Sequence, residues 1–252
     1  MIKAEAHSVL VACVLVCAAV AAVALLWTSA PYGRHARGGW GPTLPGRLGW
    51  VLMESPAVLL FGWLFFQGTH RADAAPLALL SLWMLHYVHR TFVFPLRIRS
   101  TRPMPVVVGA MAFGFQVSAA FMTAPWLSEL GRYPDAWLTD PRFLGGAVLF
   151  LGGWSLNLHA DTVLMNLRQP GDTGYRIPQG GLFRWVTAGN YLGELVMWAG
   201  WALATWSWAG LAFFVFSTAN LAPRAAQNHR WYVERFGDAY PAERRRLLPF
   251  LW

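Results

Sequence analysis

Apolar runs of about 20 residues recur along the whole chain, and no other feature restricts its fold so strongly. A helix needs roughly 20 apolar residues to cross the hydrocarbon layer of a bilayer, where every backbone N–H and C=O must be bonded within the protein. The runs predict spans near 8–27, 48–66, 74–94, 105–126, 143–166, 190–205 and 208–223. The expected fold is therefore all-α and integral to the membrane, with seven transmembrane helices. Composition agrees, since 56% of residues are hydrophobic and only 13% are charged, against roughly 25% charged in soluble domains. Nothing between the spans is large enough to bury a second core, so residues 1–252 form one domain. The first run follows Lys3 and ends in small residues at Ser29-Ala30, a pattern shared with cleavable signal peptides; the later spans favour a retained helix. Cys13 and Cys17 lie one turn apart within that run and read as small packing residues.

The net charge is +8, which in a soluble protein would suggest nucleic acid, but its distribution by loop fits the positive-inside rule instead. The first, third and fifth loops hold Arg34, Arg37 and Arg47, then Arg97, Arg99 and Arg102, then Arg168, Arg176 and Arg184. The tail adds Arg224, Arg230, Arg235 and Arg244 to Arg246, while the opposite side has Lys3, Arg71, Arg132 and Arg142. With an odd number of spans this asymmetry places the N-terminus outside and the C-terminus in the cytosol. A single Lys among 20 basic residues suggests a GC-rich bacterial genome and so a bacterial inner membrane, or the endoplasmic reticulum if the source is eukaryotic. Two loops stand out: 30–47 is dense in Gly and Pro, and 167–188 mixes turn residues with Arg and aromatics, as a lid or binding loop would. A solvated connector that happens to hold Tyr175 and Phe183 is the alternative.

Polar and ionisable groups at membrane depth are costly and mark sites or pathways. Asn157, Asp161 and Arg168 follow i, i+4, i+11 along one helix face, interrupted by Leu164. Asn190 and Glu194 repeat the device at i, i+4, and Arg224, Asn228 and Tyr232 at i, i+4, i+8. Three such stripes at one membrane face suit a dinucleotide: amides, acids and a phenol bond ribose and carboxamide, and Arg168, Arg176 and Arg224 neutralise phosphates, including a 2′-phosphate. Interhelical hydrogen bonds that merely satisfy one another are the alternative. Glu54 and Tyr87 form a second set within otherwise apolar runs. Glu54, as a neutral acid, can donate a hydrogen bond or fix the Tyr87 hydroxyl; a capping role or a salt bridge to Arg90 would also explain it. His86 and His89 make a bare H-x-x-H with no third ligand, so no metal is expected. No G-x-G-x-x-G, Walker loop or G-x-S-x-G is present.

The segment Tyr175-Arg-Ile-Pro-Gln-Gly-Gly-Leu-Phe183 closely resembles the steroid 5α-reductases. The likeness continues through Asn190-Tyr-Leu-Gly-Glu194, Ala202-Leu-Ala-Thr-Trp-Ser207, His86-Tyr-Val-His-Arg-Thr-Phe-Val93, Tyr133-Pro-Asp-Ala-Trp137 and Leu247-Leu-Pro-Phe250, nearly the whole chain. It implies a seven-helix fold that binds NADPH from the cytosolic side, with residues 1–128 mainly facing steroid and 143–252 mainly holding cofactor. It also implies a catalytic pair, Glu54 and Tyr87, on the steroid 3-oxo group. The implied cofactor set is Arg102, Asn157, Asp161, Arg168, Tyr175, Arg176, Asn190, Glu194, Arg224, Asn228 and Tyr232. Trp50 and Met53 would touch substrate. Met53 departs from the family, which carries Gln there, and Gln227-Asn228-His229 replaces a more His-rich run.

The resemblance thus implies NADPH-dependent reduction of the Δ4 double bond of 3-oxo-Δ4 steroids, with a steroid or related enone lipid and membrane lipid as partners, no nucleic acid, and a monomer. Two other readings remain: a membrane methyltransferase of the isoprenylcysteine or phospholipid type that uses S-adenosylmethionine, and a non-enzymatic seven-helix receptor or lipid carrier.

Overall fold

The computed structural model describes residues 3–31, 33–98, 102–167 and 174–252. Its helices are α1 (Ala4–Trp27), α2 (Gly46–Glu54), α3 (Leu59–Phe65), α4 (Ala74–Val88), α5 (Phe94–Arg97), α6 (Val106–Pro125), α7 (Pro141–Asn166), α8 (Gly189–Thr205) and α9 (Trp208–Phe236). Five stretches are long and apolar enough to cross a membrane: Ala4–Trp27, Gly46–Phe65, Ala74–Arg97, Val106–Leu130 and Pro141–Asn166. They coincide with the first five expected spans. The remaining two rods are α8, of 17 residues, and α9, of 29, which turns polar over its last turns. A two-residue antiparallel ladder, β1 (Thr43–Leu44) with β2 (Met104–Pro105), ties the first and third loops together.

Proline sets the break between α2 and α3. Pro56 has no N–H to offer Leu52, four residues back, and the chain tightens into a 3₁₀ turn at Ser55–Ala57. The freed carbonyls find side chains instead: Ser55 Oγ donates to Leu52 O at 2.9 Å, Thr91 Oγ1 to Glu54 O at 3.4 Å and Trp83 Nε1 to Ala57 O at 2.8 Å. Glu54 is thus the last residue of α2, held at a kink fastened to α4 and the turn after it. That turn, His89–Val93, is a π-bulge ahead of Pro95, a distortion common at functional sites, and it carries Arg90.

Glycine sets the meeting of α7 and α8. Gly146 and Gly153 lie two turns apart on one face of α7, and Gly193 and Gly200 do so on α8. A Cβ on Gly193 would sit 2.5 Å from Asn157 N, and one on Gly146 2.7 Å from Gly200 O, so the helices pack backbone against backbone. This close approach brings Asn157 and Asp161 of α7 beside Asn190 of α8.

The helix ends are closed by partners from elsewhere. Tyr133 donates its hydroxyl to Thr205 O at 2.9 Å and Trp137 Nε1 donates to Ala204 O at 3.1 Å, which satisfies the last carbonyls of α8. These residues bound the Tyr133–Trp137 motif. Asp140 caps α7, accepting from Arg142 N at 2.8 Å and from the Arg142 guanidinium at 2.9 and 2.8 Å; those bonds hold its carboxyl down to about 2. On α1, His7 is buried and its Nε2 meets Met122 O at 2.8 Å, while Gln227 of α9 donates to Leu25 O and Thr28 O at the other end. The first run is therefore an integral part of the bundle. The core is an aromatic cluster of Phe61, Trp83, Phe150, Trp198, Trp201 and Phe213.

Candidate functional site

Glu54 of α2, Tyr87 of α4 and Gln116 of α6 meet in the interior, all three buried. Gln116 Nε2 donates to Glu54 Oε2 at 2.5 Å and lies 3.4 Å from the Tyr87 hydroxyl. The Tyr87 ring is wedged against Trp83 at 4.6 Å, His86 at 4.9 Å and Trp198 at 5.8 Å between centroids, which fixes where its hydroxyl points. Hydroxyl and carboxyl thus meet through Gln116 in a buried region that is aromatic on the Tyr87 side, where a hydrogen bond to an oxygen that gains charge is stronger than in water.

Beside this pair stands a charged wall. Arg90 Nη1 bonds Asp161 Oδ2 at 3.2 Å, Asn190 Nδ2 donates to Asp161 Oδ1 at 3.1 Å, and Asn157 Nδ2 donates to Asn190 O at 2.9 Å. Among the described residues the ion pair of Arg90 is therefore with Asp161, and none joins it to Glu54. Trp50 lies against it: its indole Nε1 donates to Arg90 O at 3.1 Å, and the guanidinium lies 4.7 Å from the Trp50 ring and 4.3 Å from Phe94. Arg90 and Glu194 both lie within electrostatic range of Glu54, Tyr87 and Asp161, so the acid–phenol pair and the α7–α8 stripes belong to one locale. Met53 is buried next to Glu54.

Further out, Arg34, His35, Tyr191, Arg224, Gln227 and Asn228 are among the residues lining a cavity of about 100 Å³. Arg224 Nη1 donates to Asn220 Oδ1 at 3.0 Å, and its guanidinium sits 5.4 Å from the Tyr191 ring. His35 Nε2 bonds Asn228 Oδ1 at 3.1 Å. The His35 imidazole is pushed below its usual value, chiefly by burial and then by Arg34, Arg224 and Arg37, against the opposing bond to Asn228. Arg34 Nη1 is buried with no hydrogen-bond partner among the described residues. A cavity lined by two guanidiniums and two amides, with no carboxylate among the described residues that line it, fits phosphate oxygens. Its size is well under the ~300 Å³ at the low end of whole-ligand pockets, so it fits one phosphate-bearing portion of a larger molecule. Asn190 and Tyr191 are adjacent on α8 and join this cavity to the inner wall.

Of the other sequence candidates, Arg102 lies 5.8 Å above the Tyr175 ring, which packs edge-on against Trp231 at 4.8 Å. Tyr232 is buried in a stack with Phe236 and Tyr240 beneath Arg34, and is not itself among the residues lining the cavity. Arg176 is exposed, and Arg168 lies outside the described residues. Residues 179–183 are anchored: Phe183 is buried, Gly180 and Gly181 have φ of 83° and 50°, and Gln179 Oε1 accepts from Arg244 Nη2 at 2.8 Å. The structure adds Gln116, Arg34, His35 and Gln227 to the site. Gln116 had a usable signal, an amide within an apolar run, by the criterion that singled out Asn157. Arg34 and His35 had none, because a Gly/Pro loop gives no periodicity from which to place a side chain.

Fold and site define a class: an all-helical, membrane-type enzyme that sets a buried acid and phenol beside a charge-paired polar wall. The family model described as 3-oxo-5-alpha-steroid 4-dehydrogenase matches residues 102–252. The chain is 43% identical over 235 residues to the steroid 5-alpha-reductase of Gossypium hirsutum, covering 91% of each. It is 44% identical over 234 residues to 3-oxo-5-alpha-steroid 4-dehydrogenase 1 of Bos taurus, covering 91% of this chain and 90% of the relative. With the protein of that name from Homo sapiens it shares 42% over 227 residues, 89% of this chain and 87% of the relative. The chain belongs to the steroid 5α-reductase family of oxidoreductases. Membership implies a nicotinamide cofactor.

Proposed function

We propose that this protein reduces the Δ4 double bond of 3-oxo-Δ4 steroids to 5α-dihydrosteroids with NADPH, in a seven-helix membrane fold whose N-terminus lies outside and whose C-terminus faces the cytosol. The observation that carries the reading is the buried meeting of Glu54 and Tyr87 next to the Arg90–Asp161–Asn190 wall. The names of the relatives supply the substrate class, and the loop Arg residues supply the orientation.

In this reading the substrate enters from the lipid with its ring system along the aromatic wall and its 3-oxo oxygen at Glu54 and Tyr87. Both groups donate hydrogen bonds as negative charge develops on that oxygen, and Trp83 and Trp198 exclude water from the region. Arg34, His35, Arg224 and Asn228 hold phosphate oxygens, with Arg168 and Arg176 from the loop, and Asn157, Asp161, Asn190 and Glu194 meet ribose and carboxamide. When bound, NADPH supplies the hydride equivalent for C5, and C4 takes a proton. Trp50 and Met53 border the substrate, and Met53, where the family has Gln, alters the edge of the site nearest Glu54.

The test is to incubate the purified protein in lipid with NADPH and progesterone or testosterone and to follow both NADPH oxidation and the 5α-dihydro product. Product formed in step with oxidation is expected. Retention of S-adenosylmethionine with no reduction would replace this reading with the methyltransferase one, and tight steroid binding without turnover by the active-state protein would leave a carrier.

A further inference from the structure

We propose that Gln116 is a positioning residue for the reaction: its carboxamide N–H groups fill acceptor sites on Glu54 and Tyr87 and thereby leave the protons of both groups for the substrate oxygen. The inference rests on the role proposed above for Glu54 and Tyr87.

Three observations carry it. Gln116 Nε2 is 2.5 Å from Glu54 Oε2 and 3.4 Å from the Tyr87 hydroxyl, so one amide nitrogen with two N–H donors reaches both members of the pair. An acid and a phenol placed side by side with no third group would satisfy each other, and a proton spent between them is not available to a ligand. An amide that donates to both removes that option. Second, three side chains close to the pair are not used this way: Met53, which directly precedes Glu54, has no donor, Ser55 Oγ donates to Leu52 O, and Thr91 Oγ1 donates to the Glu54 backbone carbonyl. Third, Gln116 lies on the core face of α6 with Gly109, Ala119, Ala120, Met122 and Thr123, a face otherwise built of small or apolar residues and one hydroxyl. Its Oε1 is buried with no hydrogen-bond partner among the described residues. An amide placed only to join helices would be expected to use its carbonyl, whereas here the donor end alone is engaged.

The test compares Gln116→Met and Gln116→Leu with Glu54→Met, Tyr87→Phe and the double variant Gln116→Met/Tyr87→Phe, all in the 252-residue chain in lipid. Gln116→Leu is more compact than the methionine variant and likewise carries no donor, so it serves if Gln116→Met does not fold. In both Gln116 variants kcat for progesterone is expected to fall about 10- to 100-fold, as for other groups that orient a reacting residue. KM is expected to change far less, and the Kd for NADPH, read by fluorescence, to stay within about twofold of wild type. In the double variant the losses should be less than multiplicative, because Gln116 acts through Tyr87. Wild-type kcat in a folded Gln116 variant, or fully multiplicative losses, would overturn the inference while a large loss in Glu54→Met and Tyr87→Phe kept the site reading intact. Near-normal kcat in those two variants would remove the site reading, and the role of Gln116 with it.

Discussion

Gly193→Ala should weaken the protein and its site together, whereas Gly152→Ala, on the facing helix, should do neither. The added Cβ at position 193 would lie 2.5 Å from Asn157 N and 2.8 Å from Asn157 Cα. Ordinary contact begins at 3.4 Å, so α7 and α8 must part by about 0.9 Å. The Asn157 Nδ2 to Asn190 O bond, now 2.9 Å, would open to about 3.8 Å, beyond the ~3.2 Å limit for N–H···O, and the 3.1 Å bond from Asn190 to Asp161 would be strained with it. Overpacking costs about 1–3 kcal/mol, two interhelical hydrogen bonds add about 0.6 kcal/mol each, and the better helix propensity of Ala returns about 1 kcal/mol. The net loss is about 1–3 kcal/mol, a fall in Tm of roughly 3–10 °C for a chain of this size. Because Asn190 orients Asp161 and so Arg90, turnover should drop by up to about 100-fold, as displacements near 1 Å can cause. A Cβ at Gly152 meets nothing within 4 Å, so its Tm should hold or rise. Thermal unfolding in detergent and steady-state reduction measure both. Equal Tm in the two variants, or a destabilised Gly193→Ala with unaltered kcat, would refute the claim that this close approach builds the site.

Tyr87→Phe and Glu54→Met should each lower kcat by about 10²–10³-fold, the usual cost of losing one donor to a developing oxyanion, while NADPH binding measured by fluorescence persists. Arg224→Ala and Arg34→Ala should raise the Kd for NADPH by about tenfold or more through lost charge on phosphate, with a smaller effect for a ligand lacking the 2′-phosphate if that group occupies this cavity; titration with NADPH and NADH checks both. His35 adds a pH signature. Its folded value is depressed by burial and by Arg34, Arg224 and Arg37, so without ligand the unfolded chain takes the proton more readily and acidification below about 6.5 disfavours the folded loop. A bound phosphate reverses the sign by favouring imidazolium, so binding takes up a proton. The affinity advantage of wild type over His35→Gln should therefore grow as pH falls from 7.5 to 6, and a pH-independent difference would exclude His35 as a phosphate ligand.

The first five membrane-type helices and the family were legible in the residues alone, because apolar run length is a local property and the Tyr175–Phe183 motif is contiguous. The sequence also marked the polar stripes, since an amide or acid in an apolar run is conspicuous without any partner. What it could not decide was which of these groups meet. Arg90 had two possible carboxylates, and the π-bulge before Pro95 together with the glycine contact of α7 and α8 gave it to Asp161 and left Glu54 to Gln116. Likewise the stripe of Arg224, Asn228 and Tyr232 is one face by period, yet the Arg34 loop divides it: Asn228 is bonded to His35 while Tyr232 is buried under Arg34 in an aromatic stack. Periodicity assigns a side chain to a face of its own helix. Its partner depends on how closely and at what height another helix or loop passes, and here that was settled by kinks and by missing Cβ atoms far from the residues they bring together.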